Sequence, residues 1–306
     1  MKAARIRRFG GPDVIEIENL PEPEPREGEI RVRIQAASVN PVDYKIRQGG
    51  FLPDDKLPMT LGRDISGVVD AAGPQASDFK IGDRVFAMLP PDRGGCAEFV
   101  TLEPGACAPK PDSVSDAEAA SLGLAALTAW QGLFDHGGLR QGQRVLIHGG
   151  AGGVGHLAVQ FARARGAEVY ATCSGSDMVF VRSLGAAQVI DYKTERFEDR
   201  ARDIDMVFDL IGGETQERSW SVLRRGGIMV STLTEPDKAK AAAHGARGTR
   251  YMAQPNGGQL REIAGLTADG TVKVTIDRML PLADIREAHR AVEHDHVRGK
   301  IAVRIA

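Results

Sequence analysis

Residues 144–161 read RVLIHGGAGGVGHLAVQF, an apolar run followed by five glycines in seven residues and then by apolar residues at helical spacing. Glycine costs about 0.5–1 kcal/mol against alanine inside regular structure, so this density at the junction of two ordered segments means that something must approach bare backbone. Gly150, Gly152 and Gly155 satisfy G-x-G-x-x-G between a strand and a helix, the context in which the pattern holds a dinucleotide. On that reading Gly150 permits the tight bend, Gly152 lets a diphosphate lie against the chain, and Gly155 lets the helix sit close to the strand. The amides around Ala151, Gly153 and Val154, with the helix dipole, hold the anion. The plain alternative is a tight strand-to-helix turn without a ligand.

The flanking pattern supports the nucleotide reading. RVLIHG, AEVYATCS, AQVIDY, DIDMVFDLIG, GIMVSTL and TRYMAQ read as apolar strands separated by helix-length segments, which implies a parallel sheet covered on both faces. Before them, EIRVRIQA alternates Ile30, Val32 and Ile34 on one face, and SGVVDAAG, DRVFAML and CAEFVTL follow between glycine or proline breaks, the texture of a compact β-rich domain. Helices begin at SVSDAEAASLGLAALTAWQGLFDHGG, with Ser115 and Glu118 spaced as a capping box. The tail returns to the first texture: a strand TVKVTID, a helix PLADIREAHRAVEH and a closing strand GKIAVRIA, expected to pack on the N-terminal domain. At 306 residues two domains are expected, and a net charge of -2 offers no footprint for nucleic acid or an anionic membrane. No apolar run approaches the ~18 residues that suggest a membrane span. Cys96, Cys107 and Cys173 form neither a disulfide framework nor a C-x-x-C pair, so a reducing, cytoplasmic setting is expected.

The end of the second strand of the alternating segment decides the nucleotide. An Asp or Glu there would bind a ribose 2′-hydroxyl, but the chain has Ala171-Thr172-Cys173-Ser174, which leaves room for a 2′-phosphate. NADPH is therefore expected over NADH, with Ser174 and Ser176 as donors and Tyr192 and Lys193 after the third strand completing the contacts. Ile211 and Ser231 fall at the carboxyl ends of later strands, where ligands sit in open α/β sheets.

Taken together, AASVNPVDYKIRQG, PMTLGRDISGVV, GDRVFAM, LTAWQGL, HGGAGGVGHLAVQFA, SLGAAQVIDY, FDLIGG and GKIAVRI resemble, in order, the medium-chain dehydrogenase/reductase superfamily in its zinc-free quinone oxidoreductase branch, which includes zeta-crystallin. The resemblance implies an α/β protein: a GroES-like β-rich catalytic domain, residues 1–122 plus 269–306, and a Rossmann doubly wound parallel sheet, residues 123–268. Zinc-dependent relatives carry a cysteine where this chain has Asn40, a GHE motif where it has Gly62-Arg63-Asp64, and a four-cysteine lobe after the segment near Val85. The ligands are missing here, so a metal-free site is expected.

Without a Lewis acid to stabilise an alkoxide, hydride transfer to an already electrophilic acceptor is the easier reaction. The resemblance thus implies an NADPH-dependent reductase of a quinone or an α,β-unsaturated carbonyl. It places Asn40 and Tyr44 at the nicotinamide and substrate, with Tyr44 as hydrogen-bond or proton donor, and Thr128 near the carboxamide. The bland readings are a half-buried ring for Tyr44, a helical threonine bonding its own backbone for Thr128, a cap residue for Asp43 and a packing residue for His148. Residues 254–258, QPNGG, are either the family's last loop over the nicotinamide or an ordinary turn. Phe51, Leu52, Met59 and Met88 are apolar contacts for the substrate or plain core. Alternatives are an enoyl-thioester reductase and a weakly catalytic, crystallin-like protein that binds NADPH or RNA. A homodimer through the edge strand TRYMAQ is expected.

Overall fold

The computed structural model describes residues 1–51, 53–76 and 78–306, so Leu52 lies outside the described residues. Its contacts divide the chain into two compact units: Met1–Leu127, Gln254–Gly270 and Val274–Ala306, and Thr128–Ala253 with Thr271–Lys273. The sequence-derived partition differs from this division most at residues 254–268.

In the first unit the N-terminal strands are β1 (Lys2–Ile6), β2 (Ile15–Asn19), β3 (Ile30–Val39), β4 (Met59–Thr60), β5 (Asp64–Ala72), β6 (Arg84–Met88), β7 (Phe99–Leu102) and β8 (Cys107–Pro109). Ile30, Val32 and Ile34 are fully buried on one face of β3 against Ile65, Val69 and Val85, as their alternation predicts. Helix α1 (Pro41–Gln48) follows β3 directly, and α2 (Asp116–Trp130) opens with the expected capping box, Ser115 and Glu118 bonding reciprocally.

The second unit holds β9 (Arg144–His148), α3 (Gly155–Ala164), β10 (Glu168–Cys173), α4 (Met178–Ser183), β11 (Gln188–Asp191), α5 (Phe197–Arg200), β12 (Ile204–Asp209), α6 (Gly213–Ser219), β13 (Leu223–Ser231), α7 (Lys238–Ala243) and β14 (Arg247–Arg250). The strands pair in parallel in the order β11-β10-β9-β12-β13-β14. The order reverses between β9 and β12, the doubly wound arrangement that opens a crevice at the strands' carboxyl ends. The edge strand is Arg247–Arg250 instead of the apolar TRYMAQ: the Tyr251 amide makes a last bond to the Ser231 carbonyl of β13, and the buried Tyr251 hydroxyl donates to the Thr128 carbonyl.

The chain then returns to the first unit as α8 (Gly257–Ala268), β15 (Ile276–Pro281), α9 (Ile285–His294) and β16 (Lys300–Arg304). Helix α8 packs on β8, and a Cβ at Gly257 would collide with the Cys107 carbonyl, so this close approach requires glycine. The expected strand TVKVTID is displaced: β15 begins at Ile276, because both backbone groups of Lys273 are satisfied by the side chain of Gln160 in α3 and not by a strand ladder. Strand β16 runs antiparallel to β3 and parallel to β15, which brings the chain end onto the N-terminal sheet.

Candidate nucleotide and active site

The turn between β9 and α3 is built as an anion cradle. Gly149, one residue before the motif's first glycine, takes the left-handed conformation at φ 75° and accepts from the Gly152 amide at 3.1 Å. The tight bend is thus made at Gly149, while Gly150 provides close packing: a Cβ there would stand 3.0 Å from Cβ of Ala171. A Cβ at Gly155 would collide with the Gly149 carbonyl oxygen, so the helix can approach the strand only because that side chain is missing. At Gly152 a Cβ would meet nothing closer than 3.5 Å, which leaves the backbone bare. Among the described residues the amides of Ala151, Gly153 and Val154 have no acceptor. Unpaired donors at the first turn of a ten-residue helix, under a surface stripped of side chains, fit a diphosphate.

Other sequence-derived positions gather at the same carboxyl edge. The turn after β10 lies against that after β11, since a Cβ at Gly175 would sit 2.8 Å from Oδ2 of Asp191. Ser174 is buried and donates to Asp177 at 2.9 Å, and Ser176 lies 2.9 Å from Ser174. Asp177 is thus buried and hydrogen-bonded. Tyr192 is exposed, with the Lys193 ammonium 5.9 Å from its ring centre, while Asp191 accepts from the Lys193 amide and the Thr194 hydroxyl. Ile211 is 53% exposed and stands over the turn, 3.1 Å from where a Gly149 Cβ would be. Ser231 is buried and donates to Asp209 at 2.9 Å. Asp209, which sequence reasoning missed, also accepts from the amides of Ile211 and Gly212 and from Gln216. A carboxylate closing an apolar strand three residues before a glycine pair was the available signal. Thr128 is buried.

In the first unit Asn40 belongs to a buried polar cluster. Its amide nitrogen donates to Asp64 at 2.7 Å, its oxygen accepts from the Lys300 ammonium, and its backbone amide donates to Asp43 at 2.7 Å. Asp64 further accepts from the Ser38 hydroxyl at 2.7 Å and the Leu124 amide at 2.5 Å. Lys300, 3% exposed and missed by sequence reasoning, also lies 3.6 Å from Asp64; burial lowers its pKa, and the two carboxylates oppose that shift. Asp43 caps α1, and burial raises its pKa to about 7. Arg63 donates to the Leu89 carbonyl at 2.7 Å. Tyr44, on the same helix as Asp43, is half-buried and its hydroxyl has no partner among the described residues. Met59 lines a cavity of about 390 Å³ with Pro58 and Phe99; Phe51 is exposed and Met88 is core. Asn256 caps α8 by accepting from the Gln259 amide, which gives residues 254–258 a structural use. Among the described residues there is no cluster of three or more His, Cys, Asp or Glu able to hold a metal ion.

A doubly wound sheet with a glycine turn after its first strand, in a chain whose two ends build a β-rich unit, defines a two-domain dinucleotide-binding protein. Residues 26–141 match the alcohol dehydrogenase GroES-like domain, and residues 184–303 match the zinc-binding dehydrogenase family. The chain is 36% identical over 319 residues to the chloroplastic NADPH-dependent alkenal/one oxidoreductase of Arabidopsis thaliana, covering 99% of this chain and 79% of that protein. It superimposes on the solved quinone oxidoreductase of Coxiella burnetii with a TM-score of 0.93 at 35% identity, over 100% of this chain and 99% of that one. For the Escherichia coli quinone oxidoreductase solved with NADPH the TM-score is 0.91 at 28% identity, each chain covered in full. The chain belongs to the medium-chain dehydrogenase/reductase superfamily.

Proposed function

We propose that the protein is an NADPH-dependent oxidoreductase that reduces a quinone or an α,β-unsaturated carbonyl. The observation that carries this reading is the turn at 149–155, with three free amides over bare glycine backbone. Its relatives' named substrates and cofactor agree with it.

When bound, NADPH supplies the hydride. The residues of this chain do the rest. The amides of Ala151, Gly153 and Val154 hold the diphosphate; the uncharged end of β10 admits the 2′-phosphate, and Tyr192 and Lys193 extend that contact. Ile211, Ser231 and Thr128 line the nicotinamide end. Tyr44 donates a hydrogen bond to the substrate carbonyl as negative charge develops there, then passes its hydroxyl proton to the reduced product and takes one back from water. Asn40, held by Asp64 and Lys300, keeps the floor of that site fixed.

Calorimetry with NADPH and NADH tests the cofactor, and NADPH consumption across quinones, enals and enoyl thioesters tests the substrate. Absence of binding heat with either nucleotide would overturn the reading; turnover confined to enoyl thioesters would replace the substrate class, and salt-sensitive RNA binding without turnover would replace the enzyme. The proposal includes a C2 dimer through β14, whose outer edge has no paired strand among the described residues, and sedimentation tests it. It also includes a cytoplasmic setting, in keeping with three free, buried cysteines. The Arabidopsis relative is chloroplastic, so cell fractionation decides between compartments. Among the described residues no helix is long and apolar enough to cross a membrane.

A further inference from the structure

Beneath the glycine turn, counting donors and acceptors leaves a single arrangement of hydrogens. The Ser219 hydroxyl lies 2.6 Å from the Thr215 carbonyl oxygen, which can only accept, so its hydrogen points there. His148 Nε2, 2.9 Å from the same hydroxyl oxygen, must therefore donate. A neutral imidazole carrying its hydrogen on Nε2 accepts at Nδ1, and the Thr172 hydroxyl, 3.1 Å away, fills that place. The remaining lone pairs of Thr172 Oγ1 then face the Gly149 amide, which donates to it at 3.3 Å. The Thr172 carbonyl takes the next amide, that of Gly150, at 2.8 Å. Burial drives the His148 pKa down to about 4 although Asp209 and Glu198 pull it up; Arg218 acts with burial, and the ring is neutral at pH 7.

We propose that His148 is a positioning residue for the nucleotide: it fixes the direction of the Thr172 hydroxyl and, through it, the peptide planes of Gly149 and Gly150. Both amides at the start of the turn are tied down to β10, and those of Ala151, Gly153 and Val154 stay free for the anion without reorganisation. The inference rests on the diphosphate reading given above.

The two ring nitrogens have separable duties, which makes the idea testable. In H148N the side-chain oxygen can stand in for Nδ1 and keep Thr172 oriented; in H148Q the amide nitrogen stands in for Nε2 and serves Ser219 alone; H148F serves neither. T172V removes the acceptor of the Gly149 amide at nearly constant volume. Loss of one net hydrogen bond corresponds to about fivefold to tenfold in affinity. Calorimetric Kd and KM for NADPH should rise by that factor in H148Q, H148F and T172V and stay near wild type in H148N, while kcat at saturating NADPH moves by less than about twofold. A role in stability alone would make Asn and Gln variants fall together, in line with their melting temperatures and without the split between KM and kcat. Equal affinities for H148N and H148Q, or an unchanged Kd in T172V, would overturn the proposal. Should H148F fail to fold, T172V and the Asn and Gln pair decide. A wild-type protein that binds no NADPH would instead sink the reading beneath it.

Discussion

Each unit buries a polar network, and the two differ in charge. In the first, Asp64 and Lys300 face each other in the interior, with Asn40, Ser38 and Asp43 around them. In the second, the groups under the glycine turn are neutral: imidazole, two hydroxyls and backbone. Breaking a buried ion pair leaves an uncompensated charge, at a cost of about 3–5 kcal/mol, whereas each neutral hydrogen bond contributes about 1 kcal/mol net. The first network therefore defines structure and fails abruptly, while the second adjusts a binding surface and fails link by link. Asp209 tempers the contrast, being a buried carboxylate in the second unit, but four donors satisfy it and no cation pairs with it among the described residues.

The largest effect is expected from Asp64→Asn. It removes the nearer of the two carboxylates that face buried Lys300 and turns an acceptor of three hydrogen bonds partly into a donor. We expect a loss of about 3–5 kcal/mol in the free energy of urea unfolding. The double change Asp64→Leu with Lys300→Met should recover part of that loss, since replacing a buried pair by apolar groups is often neutral. If Asp64→Asn costs less than about 1 kcal/mol, the charged network is not structural.

Charge also sets opposite pH dependences. Asp43 has its pKa raised by burial from 3.8 to about 7, so the folded state holds an extra proton between those values and its contribution to stability declines as pH rises from about 4 to 7. His148, lowered from 6.5 to about 4, contributes in the other direction: stability is lost as pH falls from about 6.5 through 4. His289, in the first unit, is lowered to about 3 and shares the sign of His148, so the wild-type curve mixes them and variants must separate them. Subtracting the Asp43→Asn curve from wild type should leave a slope of at most about 1.4 kcal/mol per pH unit, falling with pH; the H148F subtraction should leave a rising one. Thermal melts between pH 4 and 7 report both, and slopes of the same sign would contradict the contrast.

A smaller effect is expected at Gly155. Gly155→Ala forces a Cβ against the Gly149 carbonyl oxygen, an overpacking that costs about 1–3 kcal/mol and shifts the very turn proposed to hold the nucleotide. NADPH binding should be lost by calorimetry while the first unit's response to Asp64→Asn is unchanged. Retained affinity would mean that the turn tolerates the shift.

What could be read from the sequence was mostly local. The alternation of Ile30, Val32 and Ile34, the Ser115–Glu118 box and the close approach at Gly155 each depend on neighbours in the chain, and each is present in the fold. Lys300 was illegible for the opposite reason. It sits within an apolar closing strand, where a solvated lysine is the natural expectation, and its partners Asn40 and Asp64 are more than two hundred positions away. The tail strand was misplaced because Gln160, far upstream, takes the backbone groups of Lys273 and delays the ladder to Ile276. TRYMAQ reads as a strand from its own residues, but the ladder ends where the Tyr251 amide bonds to Ser231, and the Tyr251 hydroxyl is held by the Thr128 carbonyl. The hydroxyls of Ser174 and Ser231 donate to buried carboxylates that spacing does not reveal.

The finest effect separates chemistry from binding. Tyr44 stands one residue beyond Asp43 on α1, yet its hydroxyl takes no part in the charged network and has no partner among the described residues. A donor left free is available to a substrate carbonyl, and removing it should raise the barrier without touching the glycine turn. Tyr44→Phe is therefore expected to lower kcat/KM for a quinone or enal about tenfold, roughly 1.4 kcal/mol of transition-state stabilisation, with the Kd for NADPH unchanged. H148Q and H148F should do the reverse, raising KM for NADPH at nearly constant kcat. Stopped-flow single turnovers with NADPH prebound measure the two effects separately. If Tyr44→Phe weakens NADPH binding as much as turnover, or slows nothing, the division of labour between a first unit that handles the acceptor and a second that holds the nucleotide does not run through this residue.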